Sequence, residues 1–163
     1  MESVRLRKRV FGLFFVLIPF SCIVHWPLVT GSAAELMQWA GAIILAITVP
    51  LSIYLHSLFP KRHNRPQDFG RLLTEGPYRY VRHPFYSAFI FMGFGIALFC
   101  VSIPGIVAYA LTLPLWEKLA ELEEKELLEY WGEEYRRFME TRGRFLPKLN
   151  KIVQQRAGKN ENL

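Results

Sequence analysis

The polar residues with a plausible chemical use are concentrated in two segments of this sequence, residues 70–86 and 117–144. In the first segment, Pro84 restricts His83 to an extended backbone and is itself suited to the first position of a helix. The amides of that first helical turn have no partner inside the helix, and Arg82 stands beside them. Together these groups predict a binding site for an anion such as a carboxylate or a phosphate.

Two adjacent carboxylates, Glu123 and Glu124, lie among apolar residues in the second segment. Carboxylates in such a place accept hydrogen bonds from hydroxyl groups or from an ammonium group. A zwitterionic ligand would therefore suit the two segments together. The alternative is that Arg82 simply pairs with the glutamates or with lipid headgroups. The tyrosines of the first segment are also common anchors at a membrane surface; they are Tyr78, Tyr80 and Tyr86.

Both segments adjoin long stretches without charged residues, at 10–29, 37–59 and 85–116. Each stretch is long enough to cross a hydrocarbon core, which needs about 20 apolar residues. The third is too long for one span, and Ser102 to Gly105 mark a turn near its middle. The sequence therefore predicts an all-α integral membrane bundle of four transmembrane helices. Their expected ranges are about 10–29, 37–59, 85–101 and 104–130.

The basic residues predict which ends of these helices lie on the same side. Four of the 20 Lys and Arg residues precede Val10, six lie between Phe59 and Phe85, and ten follow Trp116. Basic residues of short loops collect on the cytoplasmic side during insertion. Four crossings with both termini in the cytoplasm put all 20, and both polar segments, on that side. Orientation and attraction to anionic membrane lipids account for the net charge of +6, so nucleic acid is not expected as a partner.

The C-terminal part is expected to continue the fourth helix into water, because apolar residues recur at helical spacing beyond the third charge-free stretch. Gly132 is expected to break this helix. A short amphipathic piece with Tyr135 and Phe138 on one side would follow and lie against the membrane or the bundle. This cytosolic extension is expected to cap the site within a single domain of residues 1–153, followed by a disordered polar tail at 154–163.

Taken in order, the motifs of both segments resemble those of a known enzyme family. They are Gly76-Pro77-Tyr78, Arg82-His83-Pro84-Phe85-Tyr86, Glu123-Glu124, Gly132-Glu133-Glu134-Tyr135 and the run from Gly143 to Pro147. This set resembles the isoprenylcysteine carboxyl methyltransferase family, which belongs with the phospholipid methyltransferases in a broader membrane superfamily. The resemblance covers about the C-terminal three fifths of the chain.

The resemblance implies a multi-pass membrane methyltransferase that uses S-adenosyl-L-methionine, releases S-adenosyl-L-homocysteine and needs no metal. It implies that the cofactor lies in a cytosolic pocket closed by the C-terminal segment, while a lipophilic substrate enters from the bilayer. The residues that correspond to the cofactor site are Leu72, Leu73, Tyr78, Arg82, His83, Pro84, Tyr86, Glu123 and Glu124. Arg82 and His83 are the candidate catalytic residues, with His83 as a general base if the nucleophile must lose a proton.

The substrate is the open part of this prediction. Methyl transfer to a nucleophile that already carries a lone pair depends on positioning and on exclusion of water. The resemblance implies that members acting on a prenylcysteine carboxylate carry an Arg four residues before the position of Glu123, where this chain has Leu119. The expected substrates are therefore an isoprenylcysteine-like or other lipid acid, a phospholipid amine, or a small lipophilic thiol or phenol.

Three other functions fit parts of the sequence. Membrane sterol reductases resemble the same superfamily and bind NADPH, but they have more spans and a basic cluster for the 2′-phosphate. A bundle that binds lipid without catalysis would keep the same motifs. A metal enzyme would use His56, His63 and His83 with nearby glutamates, yet their spacing fits no recurrent ligand pattern. Cys22 and Cys100 also lack metal or redox spacing and are expected to pack as small apolar residues.

Overall fold

The computed structural model describes residues 2–24, 26–59 and 66–148, and these residues form five α-helices. The helices are α1 (Glu2–Ile23), α2 (Ser32–Ser57), α3 (Pro84–Cys100), α4 (Ile103–Trp131) and α5 (Glu133–Thr141). Two short 3-10 turns, Pro66–Phe69 and Gly76–Arg79, lie in the connection between α2 and α3. The prediction of an all-α fold is confirmed for this part of the chain. The predicted tail and His63 lie outside the described residues.

Membrane character is most evident in α2. Among the described helices, α2 alone is long and apolar enough by length and composition to cross a membrane. Helix α3 is also apolar but has 17 residues. Large side chains on α1 and α2 face outward, among them Phe15, Val16, Trp39 and Ile47, each more than half exposed. Such surface is typical of a membrane or protein contact. The other three predicted spans stay predictions.

The first helix differs most from its predicted range of 10–29, since α1 spans Glu2–Ile23. The charge-free stretch indicates which residues lipid can cover, whereas a helix continues for as long as its backbone hydrogen bonds do. Beyond α1, Pro27 has no amide hydrogen to donate, and Leu28 donates to the Val101 carbonyl at 2.8 Å. The ends of the other three predicted helices lie at most five residues from the observed ones.

The turns at both ends of α4 confirm the two breaks predicted there. Val101 follows α3 in the left-handed conformation, with φ of 49°. The Ser102 side chain then accepts a hydrogen bond from the Gly105 amide and caps α4. At the far end, Gly132 has φ of 52°, which glycine adopts without steric cost. Helices α3 and α4 therefore form a hairpin, and α5 follows directly after Gly132.

The helices pack as two main pairs, α2 against α3 and α1 against α4. Gly41 of α2 lies so close to α3 that a Cβ atom there would be 2.6 Å from the Gly95 carbonyl oxygen. Small residues permit this close approach in membrane bundles. Between α1, α3 and α4 the core contains Phe14, Phe89 and Trp116, and the Phe14 ring meets the other two edge to face. This packing sets the mutual position of the helices that carry the site.

Candidate functional site

A cavity of about 380 Å³ lies where the start of α1, the end of α2 and the extension of α4 meet. Its volume is within the range of small-molecule sites, about 300–1,000 Å³. All five helices and the α2–α3 connection line it, through Arg7, Phe11, His56, Phe59, Phe69, Arg71, Leu72, Leu73, Tyr78, Arg82, His83, Phe85, Tyr86, Phe89, Glu123, Leu127, Trp131, Tyr135 and Phe138. Polar groups and aromatic rings both contribute, so the cavity suits a ligand with polar and apolar parts.

His83 occupies the position just before α3 and is 6% exposed. Its Nε2 atom lies 3.2 Å from Glu124 Oε1, and its Nδ1 atom lies 3.5 Å from Glu123 Oε2. The ring stacks on Tyr86, with 9° between the planes and 5.4 Å between the centroids. Burial by itself would lower the pKa of His83, but the hydrogen bonds to the two glutamates outweigh it and raise that pKa. The imidazolium form, with both nitrogens donating, fits this position.

Glu123 forms one polar wall of the cavity. Its Oε1 atom accepts a hydrogen bond from Arg7 Nη2 at 3.0 Å. Burial alone would raise the pKa of Glu123, but the hydrogen bond to His83 and the charge of Arg7 outweigh it and hold the pKa at about 2. The carboxylate is therefore ionised at neutral pH, and the side chain is 24% exposed and lines the cavity.

Glu124 lies behind this wall and is 3% exposed. Its carboxylate accepts from Arg82 Nε at 2.8 Å and from Arg144 at 2.6 Å and 3.1 Å, in addition to its contact with His83. Burial opposes ionisation, yet the hydrogen bonds from His83 and Arg144 outweigh it and hold the pKa of Glu124 at about 2. Glu124 thus joins three elements, namely the start of α3, the middle of α4 and the segment after α5.

Arg82 belongs to the same hydrogen-bond network. Besides Glu124, its guanidinium donates through Nη1 to the backbone carbonyls of Met139 at 3.0 Å and Arg142 at 2.9 Å. The backbone amide of Arg82 donates to the Gly143 carbonyl at 2.9 Å. The alternative stated above, that Arg82 pairs with a glutamate, is confirmed for Glu124. Arg82 thus holds α5 and the segment after it close to the start of α3, and it also lines the cavity, while the anion site stays a prediction.

The chain after α5 is tied to the start of α3 by the backbone. His83 donates its amide to the Arg144 carbonyl at 3.1 Å, and the Ser87 hydroxyl donates to the Phe145 carbonyl at 2.9 Å. A Cβ atom at Gly143 would overlap the Leu146 carbonyl, so only glycine fits there. This accounts for Gly143 in the C-terminal motif. It also gives the predicted C-terminal extension a defined contact with the site.

The structure brings most of the predicted site residues together. Seven of them line the cavity, namely Leu72, Leu73, Tyr78, Arg82, His83, Tyr86 and Glu123. Pro84 is buried as the first residue of α3, and Glu124 supports the site from behind. Neither is among the lining residues of the cavity. Burial raises the pKa of Tyr78, so its hydroxyl is a neutral donor at physiological pH.

Several site residues were not predicted from the sequence. Arg7 stands in the basic N-terminal segment, where orientation in the membrane explains its charge and nothing marks it as a site residue. His56 lines the cavity, with its ring stacked on Phe85 at 6.0 Å. Tyr135 of α5 lines it as well. Within the described ranges no three His, Cys, Asp or Glu side chains are grouped so as to hold a metal ion.

The sequence family described as phospholipid methyltransferase matches residues 36–134. The chain belongs to this family. Among curated proteins, the methanethiol S-methyltransferase of Pseudomonas deceptionensis is 32% identical over 129 residues, which are 74% of this chain and 48% of that protein. A probable protein-S-isoprenylcysteine O-methyltransferase of Oryza sativa subsp. indica is 35% identical over 75 residues, 44% of this chain and 38% of that protein. The chain thus spans half or less of the length of these relatives.

The family match agrees with the resemblance found in the sequence motifs. Residues 36–134 run from α2 to the first residues of α5 and include His83 with both of its glutamates. Arg7, Tyr135 and Arg144 fall outside that range, although all three contact the network or the cavity. The phospholipid methyltransferase region therefore supplies most of the site, and the flanking segments complete it.

Proposed function

We propose that this protein is an S-adenosylmethionine-dependent methyltransferase that acts on a lipophilic, membrane-embedded substrate. The proposal rests on the cavity described above, which is lined by most of the family's motif residues. Glu123, His83 and Tyr78 provide its polar part, and rings from α1 and α3 provide its apolar part. Family membership supports methyl transfer as the reaction class.

The residues of the cavity fit this cofactor by their chemistry. The ionised Glu123 carboxylate suits an ammonium group, and the neutral hydroxyl of Tyr78 suits a polar oxygen or nitrogen. Leu72, Leu73 and Trp131 offer apolar surface for a nucleoside. When bound, S-adenosylmethionine would supply a methyl group on its sulfonium, and in-line transfer of that group to a nucleophile would break the carbon–sulfur bond and leave S-adenosylhomocysteine. The protein's part is to bind, to orient and to exclude water, and orientation alone contributes about 7 to 11 kcal/mol in well-aligned reactions.

His83 is assigned a structural role in this mechanism. A general base must accept a proton. The two carboxylates beside His83 favour its protonated form, which has no free lone pair to accept another proton. We infer that His83 holds Glu123 and Glu124 in place and stacks on Tyr86. A carboxylate is already deprotonated at neutral pH and needs no proton acceptor from the chain, whereas a thiol has to release its proton to water and react as the thiolate.

The acceptor substrate is proposed to enter from the bilayer through the aromatic part of the cavity. Phe11, Phe85 and Phe89 lie within 6.0 Å of one another by ring centroids, and Phe59 contacts Phe85 at 5.2 Å. These rings suit an apolar group and contribute to a dry site. Multi-pass topology, with both termini and the site on the cytoplasmic side, is part of this proposal.

A small thiol is the favoured substrate class among those left open by the sequence. Leu119 is fully buried in the core and is not among the residues that line the cavity, so it offers no cation to a prenylcysteine carboxylate. The relative from Pseudomonas deceptionensis is named as a methanethiol S-methyltransferase. A lipid acid and a phospholipid amine are the other candidates and are separated from a thiol by the assay below.

The test uses purified protein in detergent with S-adenosylmethionine labelled on its methyl group. Methanethiol, a prenylcysteine analogue, phosphatidylethanolamine and a total lipid extract are offered separately, and label transfer is measured for each. Label in any of them supports the proposal and names the class. Binding of S-adenosylhomocysteine without transfer to any acceptor would instead indicate a lipid-binding protein, and consumption of NADPH with a sterol would indicate a reductase. Arg82→Ala and Glu123→Ala are expected to weaken S-adenosylhomocysteine binding, whereas the exposed Glu129→Ala is not.

A further inference from the structure

Tyr135 of α5 is the most buried polar side chain that faces the cavity. It is 1% exposed, and its ring packs against Phe138 with 5.8 Å between the centroids. Both residues line the cavity. The position follows from the amphipathic pattern of α5, which turns Tyr135 and Phe138 inward while Arg136 and Arg137 stay exposed.

The Tyr135 hydroxyl has no hydrogen-bond partner among residues 2–24, 26–59 and 66–148. Buried hydroxyl groups in folded proteins nearly always have a partner, and one without it calls for an explanation. A phenylalanine would fill nearly the same volume without the free-energy cost of a buried hydroxyl that has no hydrogen bond. A buried tyrosine that lines a ligand-sized cavity is explained if the ligand supplies the partner.

The surroundings of this hydroxyl indicate what kind of group it meets. Burial, followed by the charge of Glu124, raises the pKa of Tyr135, so the phenol stays neutral and is able to donate. Glu123, Arg82 and Arg144 also act on it electrostatically, and both arginines pair with Glu124, so charges of both signs surround the hydroxyl. Such surroundings suit a zwitterionic group, which carries an ammonium as well as a carboxylate.

We propose that Tyr135 is a ligand-binding residue whose hydroxyl forms a hydrogen bond with the amino-acid end of the cofactor. This assignment rests on the proposed function, since it presumes a ligand with such an end. Leu127 and Trp131 also line the cavity, and their apolar surface suits the nucleoside part. Helix α5 thereby contributes one recognition group directly and does more than cover the cavity.

The experiment compares Tyr135→Phe with wild type in detergent by calorimetric titration of two ligands. S-adenosylhomocysteine has the amino-acid end, whereas 5′-methylthioadenosine keeps the nucleoside and the thioether but lacks that end. Tyr135→Phe is expected to lower the affinity for S-adenosylhomocysteine roughly tenfold and to change the affinity for methylthioadenosine by less than about twofold. The matched control is Tyr130→Phe, which removes an exposed hydroxyl from α4 and is expected to change neither affinity.

A second measurement separates ligand binding from a purely structural role. Without ligand, Tyr135→Phe is expected to unfold within about 2 °C of wild type, since no described protein group loses a hydrogen bond. An equal loss of affinity for both ligands, no loss for either, or a clearly lower melting temperature without ligand would each overturn the assignment. If the wild type binds no S-adenosylhomocysteine, the proposed function fails first and the assignment fails with it.

Discussion

Replacing Glu124 with alanine tests whether the buried ion network holds α3, α4 and the C-terminal segment together. Glu124 is 3% exposed and contacts Arg82, His83 and Arg144. Removing one partner from a buried ion pair leaves the other charges uncompensated and costs about 3 to 5 kcal/mol. The pKa of Glu124 gives a similar figure. It is held at about 2 against an ordinary 4.5, and at about 1.4 kcal/mol per pKa unit this is a stabilisation of about 3 kcal/mol.

For a chain of this length each kcal/mol lowers the melting temperature by roughly 2 to 4 °C, so Glu124→Ala is expected to lower it by about 6 to 20 °C. The assay is thermal unfolding of the detergent-solubilised protein, followed by tryptophan fluorescence. Glu129→Ala serves as the control, because it removes an exposed carboxylate from the same helix and is expected to change stability by at most about 0.5 kcal/mol. A melting temperature of Glu124→Ala within about 2 °C of wild type would show that the ion network does not hold α3, α4 and the C-terminal segment together.

Three further predictions concern the site and the packing that positions it. Arg7→Ala is expected to lower the affinity for S-adenosylhomocysteine roughly tenfold, because Glu123 loses a partner that orients it; unchanged affinity in a titration would contradict this. The melting temperature is expected to be highest between about pH 4.5 and 6.5. Because the pKa of Glu123 is lowered in the folded protein, its contribution to the stability is lost as the pH falls from 4.5 toward 2. Because the pKa of His83 is raised, its contribution to the stability is lost as the pH rises above 6.5. A melting temperature that does not change with pH would count against both effects. Gly41→Ala is expected to destabilise the bundle by about 1 to 3 kcal/mol, because the added methyl group would clash with α3. The control is Gly12→Ala, whose methyl group would meet no neighbour within 4 Å and which is expected to be neutral or slightly stabilising. Equal melting temperatures for the two variants would argue against the close approach of α2 and α3.

The local features of the fold could be predicted because their causes are local. Pro84 begins α3, Ser102 caps α4 and Gly132 ends it, and each effect depends on the backbone chemistry of one or two residues. The inward face of α5 follows from the spacing of Tyr135 and Phe138 in the same way. The range of α1 was less well predicted, because a charge-free stretch and a hydrogen-bonded helix have different limits.

The motif residues of the site could also be named from the sequence, but their roles could not. Arg82 and Glu124 were both expected to contact the cofactor. In the structure they pair with each other at 2.8 Å, and Arg82 also donates through Nη1 to the carbonyls of Met139 and Arg142. A motif shows which residue types occur together, whereas the partner of each charge depends on distances that only the folded chain sets.

The residue pattern was thus enough to predict a helical chain, the places where its helices break and the segments that carry the methyltransferase motifs. The folded structure was needed to see which charges meet and which buried hydroxyl lacks a partner among the described residues. Arg7 and Glu123 are 116 positions apart and approach to 3.0 Å only because α1 packs along α4. Tyr135 was predicted to lie on an apolar face, but the lack of a hydrogen-bond partner for its hydroxyl among the described residues is apparent only when α5 is folded against α4. Side-chain pairing is a property of three-dimensional proximity, which neither spacing nor composition contains.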